Sequence, residues 1–273
     1  TPLQHIIHDS RNIQSLTNNI IWNIFADQEH NIWLGTDYGI SLSRYNSALQ
    51  FIPISQITGT GDGNQFYSLF RDSKGFYWFG GANGLIRFTD PAGERHDAIW
   101  YRMGDKTYPL SHNRIRHIYE DKEQQLWIAT DGSINRYDYA TRQFIHYNIV
   151  DNTGTYNTNW TYYIFEDTAG QLWISTCLGG IFVVDKHKLM QSTSGQYIAE
   201  QNYSVHNGLS GMFINQIIPD NEGNVWVLLY NNKGIDKINP RTREVTKLFA
   251  DELTGEKSPN YLLCDEDGLL WVG

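Results

Sequence analysis

Six of the nine tryptophans in this 273-residue chain occupy one repeated frame. Trp33, Trp78, Trp127, Trp173, Trp226 and Trp271 each follow an aspartate by six residues, and each ring has an apolar neighbour on either side. The aspartates are Asp27, Asp72, Asp121, Asp167, Asp220 and Asp265. The tryptophans are separated by 45 residues (Trp33 to Trp78), then 49, 46, 53 and 45. A period of that size holds four short strands with their turns, the content of one propeller blade.

Within a unit the local signals are of strand and turn type. In the first, Ile20 to Phe25 is an apolar run, Asp27 to Asn31 a polar turn and Ile32 to Thr36 a second strand. Asp37-Tyr38-Gly39 turns again, Ile40 to Tyr45 forms a third strand and Leu49 to Ile54 a fourth. Gly75, Gly170, Gly223 and Gly268 fall three residues before their tryptophans, where a bulged hairpin wants φ > 0. His30 and Gln124 stand there in the other two units, which predicts strain in those turns. No apolar pattern of helical period and length occurs, so essentially no helix is expected.

A lone four-stranded sheet cannot bury both apolar faces. Stacking successive sheets around an axis solves this, because each face packs on a neighbour. The repeated ring then fills the wedge between sheets, contributing about 1.5–3 kcal/mol by burial. The expected fold is therefore all-β: a β-propeller of four-stranded antiparallel blades, with about six blades visible and the last one truncated. It forms a single propeller domain over residues 1–273, or a propeller fragment of a larger ectodomain. The excess length of the longest repeat is assigned to surface loops at 187–196 and 204–212.

A net charge of −9 and a pI near 5.4 argue against a nucleic-acid groove, since the 21 Lys and Arg are spread along the chain. Mean hydropathy is −0.47 and no 18-residue apolar stretch occurs, so no membrane contact by this segment is expected. The start, TPLQHIIHDSRN, lacks the pattern of a signal peptide, and reads as the inside of a longer or processed protein, or as part of an intracellular one. Cys177 and Cys264 lie two units apart and are expected to be unbridged.

The segments DQEHNIWLGTDYGISLSRY, DSKGFYWFGGANGLIRF and DKEQQLWIATDGSINRY, with Asn19, Asn64, Asn113 and Asn159 upstream, resemble the two-component regulator propeller repeat. The likeness is specific in the first four repeats and weakens in the fifth, where Met212 replaces the asparagine. It implies the periplasmic sensor region of a hybrid histidine kinase/response regulator of Bacteroides-type bacteria, commonly controlling polysaccharide use. It also implies an oligosaccharide ligand, and as partners a second propeller or Ig-like domain of the same parent chain, or a second copy in a homodimer. Kinase output would lie outside this segment. Leu3 to His8 reads like the fourth strand of a unit, able to complete a blade begun at the carboxyl end. Sensors of this kind have more blades, so Gly273 reads as a boundary and not a natural end.

No catalytic or cofactor-binding constellation is legible. The nine histidines form neither His-x-His nor His-Glu-x-x-His, so no metal or cofactor is expected. Asp265-Glu266-Asp267-Gly268 and Asp62-Gly63-Asn64 lack the remaining ligands of a calcium loop and read as turns.

The informative positions are those at which the repeats differ. Five residues before each motif aspartate stand Trp22, Tyr67, Arg116, Tyr162, Asn215 and Asn260, which would ring the mouth of a central channel. Loops after the second strand carry Asp37-Tyr38, Asn83, Asp131, Leu178 and Tyr230-Asn231-Asn232. From these, the candidate ligand-binding residues are Trp22, Tyr38, Tyr67, Asn83, Arg116, Asp131, Tyr162, Asn215 and Tyr230. Rings that stack on pyranose faces, mixed with amides and carboxylates for hydroxyls, suit a neutral sugar. A sulfated or uronic glycan would need local cations, and near that face only Arg114 and Arg116 stand close together. Two other classes are open: a propeller lyase resembling the streptogramin type, with His117 the one histidine well placed, and a scaffold that binds protein through its rim.

Overall fold

The computed structural model describes residues 5–45, 51–53, 64–89, 98–107, 109–193, 195–230, 234–248 and 259–273, with the backbone alone at 51–53. Two compact units emerge, Thr1–Ile128 with Asp138–Phe144, and Ala129–Tyr137 with Ile145–Gly273. In the first, β1 (Ile21–Ala26), β2 (Ile32–Thr36), β3 (Gly39–Ser43) and β4 (Phe51–Pro53) form an antiparallel meander. A second meander follows from β5 (Phe66–Arg71), β6 (Tyr77–Gly81), β7 (Gly84–Phe88) and β8 (Ile99–Tyr101). The division falls within the third sheet, β9 (Ile115–Glu120), β10 (Leu126–Thr130), β11 (Ser133–Asp138) and β12 (Gln143–Tyr147), again in meander order.

In the second unit, β13 (Ile149–Val150) precedes a fourth meander of β14 (Thr161–Glu166), β15 (Gln171–Thr176), β16 (Ile181–Asp185) and β18 (Gln201–Tyr203), with β17 (Tyr197–Ile198) set apart. The fifth comprises β19 (Ile214–Pro219), β20 (Val225–Leu229), β21 (Ile235–Asn239) and β22 (Glu244–Leu248). β23 (Leu262–Cys264) and β24 (Leu270–Val272) pair as a two-stranded sheet. First strands neighbour one another within each unit: β1 with β5 and β5 with β9, then β14 with β19 and β19 with β23.

One carboxylate organises every repeat. In all six, the motif aspartate accepts the indole N–H of its tryptophan on Oδ2, at 2.7–3.0 Å. Its Oδ1 accepts the backbone N–H four residues on, at 2.8–2.9 Å, closing the hairpin turn. The spacing of six is thus the distance at which one carboxylate fixes both the turn and the ring of the next strand. The turn residue takes positive φ throughout: 87° at Gly75, 78° at Gly170, and 84° at Gly223 and Gly268. His30 at 62° and Gln124 at 60° adopt it without being glycine, as expected of the two strained turns.

Burial follows from stacking of sheets. Trp33, Trp78 and Trp127 are fully buried and Trp173 nearly so. Trp33 meets Tyr77, Phe79 and Phe88 of the second sheet, with ring centroids 5.2, 5.1 and 6.0 Å away. The Tyr77 hydroxyl donates to Asp27 Oδ2 at 3.1 Å, and the Tyr139 hydroxyl to Asp72 Oδ2 at 2.6 Å, so each carboxylate also holds the sheet that follows. Trp226 is half-buried, whereas Trp271 is 59% exposed, against the expectation of six core rings. Trp271 lies on β24, which among the described residues pairs with β23 alone.

Three further expectations are corrected. Lys186–Gln191 is a helix (α1), and Val205–Asn207 a 3-10 turn, in the segments read as loops. Asp185 caps α1 by accepting from the N–H groups of His187 and Lys188, and buried Lys186 pairs with Glu166 at 2.8 Å. The turn is short enough to carry no periodic signal, and its cap supplies what propensity does not. β17 pairs in parallel with β13, so the longest repeat contains a built insertion. Finally, His5 to His8 form no strand, with Leu3 and Gln4 outside the described residues. The backbone there bonds locally: His8 N–H donates to Asn19 Oδ1 at 2.6 Å, and its ring Nδ1 lies 2.5 Å from the Leu16 carbonyl.

Met212 at the asparagine position is explained by backbone contacts. The Asn64 and Asn113 carbonyls accept from Gly39 and Gly84 N–H, both at 2.8 Å, and the Met212 carbonyl does the same for Leu178 at 3.2 Å. The Asn64 and Asn113 side chains add bonds from Asn83 and Met103 N–H that a methionine cannot accept in the same way, so Met212 keeps the backbone part of the link.

Acid should weaken the structure. Burial alone raises the Asp27 and Asp220 carboxyls, but hydrogen bonds from Trp33, Asn31 and Tyr77 on the first, and from Asn224 and Trp226 on the second, outweigh it. Both are held below the ordinary value of 3.8. A depressed folded-state pKa gives stability that is complete above the unfolded value and lost as pH falls through the folded one. Asp236, fully buried and raised by that burial, acts in the opposite sense. Urea midpoints are expected to fall below about pH 4, and less steeply in Asp27→Asn.

Candidate functional site

In four of the repeats the residue five before the motif aspartate is singled out by the strands themselves. In the first sheet Ile21 pairs with Thr36 and Asn23 with Gly35, leaving Trp22 as the extra residue of a β-bulge. The same register shift falls at Tyr67, Tyr162 and Asn215. A bulge re-aims one side chain away from the alternation of its strand. In these four strands it takes the variable residue out of the regular alternation, a physical reason these positions differ while their neighbours repeat.

Three of the predicted residues converge in the first unit. The Trp22 and Tyr67 rings meet edge to face, their centroids 5.6 Å apart, and the Arg116 guanidinium lies 5.7 Å from the centre of Tyr67. Asp37 joins them: its Oδ1 accepts from Trp22 Nε1 at 3.0 Å and from Gln65 Nε2 at 2.6 Å. The Tyr67 hydroxyl in turn donates to Gln65 Oε1. The result is an aromatic pair, a carboxylate, an amide and a guanidinium in contact, with Trp22 half-exposed. Gln65 was not anticipated; it stands two residues before the variable position, and its carbonyl accepts from Ala82 N–H as the carbonyls of Ile20, Trp160 and Phe213 accept from their own repeats.

The remaining candidates are looser. Tyr38 is 55% exposed beside Asp37, and Asn83 is exposed, its backbone N–H held by Asn64 Oδ1 and its carbonyl by Arg102. In the second unit Tyr162 is half-buried at its bulge, and Asn215 Nδ2 donates to the Asn260 carbonyl at 3.1 Å. The Asp131 carbonyl accepts from Trp160 N–H, and Tyr230 is 58% exposed. Asn231 and Asn232 lie outside the described residues. His117 lies near Tyr119, ring centroids 6.5 Å apart. Among the described residues no group of three or more His, Cys, Asp or Glu is placed to hold a metal. Cys177 and Cys264 are both free thiols.

Residues 15–38, 60–83 and 109–132 match the two component regulator propeller family, three of the four repeats in which the sequence resemblance is specific. No curated protein matches the chain. Two solved structures of the extracellular domain of BT4673 from B. thetaiotaomicron are 98 and 99% identical, with TM-scores of 0.78 and 0.79. That protein is assigned to a one component system in one case and a hybrid two component system in the other. The chain is covered completely and spans 37 and 36% of those chains, little over a third. The extracellular domain of BT3049 from the same organism is 21% identical, with TM-score 0.73 over 98% of this chain and 33% of its own. Virginiamycin B lyase from Staphylococcus aureus, at 15% identity and TM-score 0.67, covers 96% of this chain and 79% of its own, and is a likeness of fold alone. Repeats, sheets and neighbours agree: the chain carries two component regulator propeller repeats, and its fold is an all-β propeller of four-stranded antiparallel blades.

Proposed function

We propose that this chain is ligand-recognising surface of an extracytoplasmic sensor in a hybrid two-component system, and that its ligand is a carbohydrate. The near-identical relatives are extracellular domains, and no helix among the described residues is long and apolar enough to cross a membrane. The function is recognition, with signalling output elsewhere in the parent protein. The observation that carries the sugar reading is the cluster of the bulge residues Trp22 and Tyr67 with Arg116 and Asp37. Its half-exposed ring offers a face for pyranose C–H groups, and its carboxylate and guanidinium offer hydroxyl partners.

Calorimetric titration of the parent ectodomain with neutral, sulfated and uronic oligosaccharides tests this. Neutral sugars are expected to bind, with Trp22→Ala and Arg116→Ala each weakening binding about tenfold or more. Affinity untouched by both changes would remove the cluster from the site. No binding by any glycan would favour a protein partner.

A further inference from the structure

The second unit holds a trough that the repeat pattern does not announce. Two adjoining depressions of about 450 and 350 Å3 share Thr155 and Tyr156 as their common floor. Both volumes lie in the range of small-molecule sites, about 300–1,000 Å3. The smaller is walled by Trp160 and Leu178, 49 and 52% exposed. The larger is walled by polar groups, among them Asn152, Gln201 and His206, with the Tyr156 hydroxyl 3.4 Å from His206 Nε2.

The apolar end is held rigidly in an unfavourable backbone conformation. Trp160 has φ 55° and Leu178 φ 121°, a region bulky L-residues rarely adopt. Both are pinned: Trp160 N–H donates to the Asp131 carbonyl at 3.0 Å, its carbonyl accepts from Cys177 at 2.9 Å, and Leu178 N–H donates to Met212. Strain of this kind persists where the surroundings over-determine it, and it gathers at ligand clamps. The Asp151 side chain holds the floor loop by accepting from Tyr156 N–H at 2.7 Å and from Thr153. A large ring is thus carried half in solvent on a pinned backbone, beside a polar trough.

Charge selects the occupant. Asp151 and Glu200 line the larger depression and neither depression is lined by lysine or arginine, so sulfated and uronic chains are disfavoured. We infer that this trough is a binding site for a neutral oligosaccharide, with one pyranose stacked on Trp160 and the next sugar's hydroxyls met by the amides beyond Tyr156. The inference rests on the carbohydrate reading above and adds a site independent of the Trp22 cluster.

The test uses the parent ectodomain carrying Trp22→Ala, titrated calorimetrically with maltohexaose, cellohexaose, mannohexaose and xylohexaose. At least one is expected to bind, and adding Trp160→Gly to weaken it about tenfold or more. Leu178→Gly, which relieves the φ of 121° while removing the same wall, should act in the same direction without loss of fold. Residual binding indifferent to both changes would overturn the trough. So would a wild-type protein that binds these sugars and loses them wholly with Trp22→Ala, and in that case the carbohydrate reading survives. Wild-type protein that binds none of the four would overturn both.

Discussion

Trp127→Ala is expected to lose about 3–5 kcal/mol of unfolding free energy, the cost of a large buried ring replaced by a cavity. The ring is fully buried and its N–H is bonded to the nearly buried Asp121 at 2.9 Å, so truncation also leaves that carboxylate short of a partner. Asp131→Ala, in the loop that follows the same strand, is expected to cost less than about 1 kcal/mol, because the repeat uses its carbonyl in the bond to Trp160. Chemical denaturation measures both. Equal effects would mean that packing and loop have been interchanged.

Asp72→Ala should rival the loss of a core ring although it removes a small polar side chain. Its Oδ1 accepts the N–H groups of Lys74 and Phe76, and its Oδ2 accepts from Trp78 Nε1 at 2.7 Å and the Tyr139 hydroxyl at 2.6 Å. Removal leaves a buried indole donor unpaired and detaches the turn, a loss of about 3–5 kcal/mol. Asp72→Asn should be milder, since its single carbonyl oxygen serves either the turn or the ring pair. Asp265→Ala makes the control, because the Trp271 it holds is exposed, and it should cost the least of the six. Six equal losses in urea denaturation would show that the bond itself, and not its burial, sets the energy.

Most of the architecture was legible because the determinant is local and repeated. An aspartate, a turn residue and a tryptophan at fixed spacing specify one hairpin, and a face that no single sheet can bury specifies stacking. The departures lie where a single copy carries the information. α1 rests on the Asp185 cap and the buried Lys186–Glu166 pair, which no periodicity reveals. Trp160 escaped notice because it falls outside the Asp–Trp frame, yet the repeats offer a signal: Ile20, Gln65 and Arg114 hold its place elsewhere.

The candidate site was legible in part. Variation at the position of Trp22, Tyr67 and Arg116 singled these residues out as a channel mouth, while the bulge at Trp22 and Tyr67 is a backbone feature without a residue signature. Gln65 and Asp37 were beyond reach as a pair, since they are 28 residues apart and joined only by folding.

The central claim is that the variable positions of the first strands present the ligand-binding surface. Hydrogen exchange of the parent ectodomain, with and without an oligosaccharide that binds it, tests this most directly. Slowed exchange is predicted in β1, β5 and β9, at the peptides bearing Trp22, Tyr67 and Arg116. Protection confined to the fourth strands β4, β8 and β12, or lying wholly outside this segment, would contradict it.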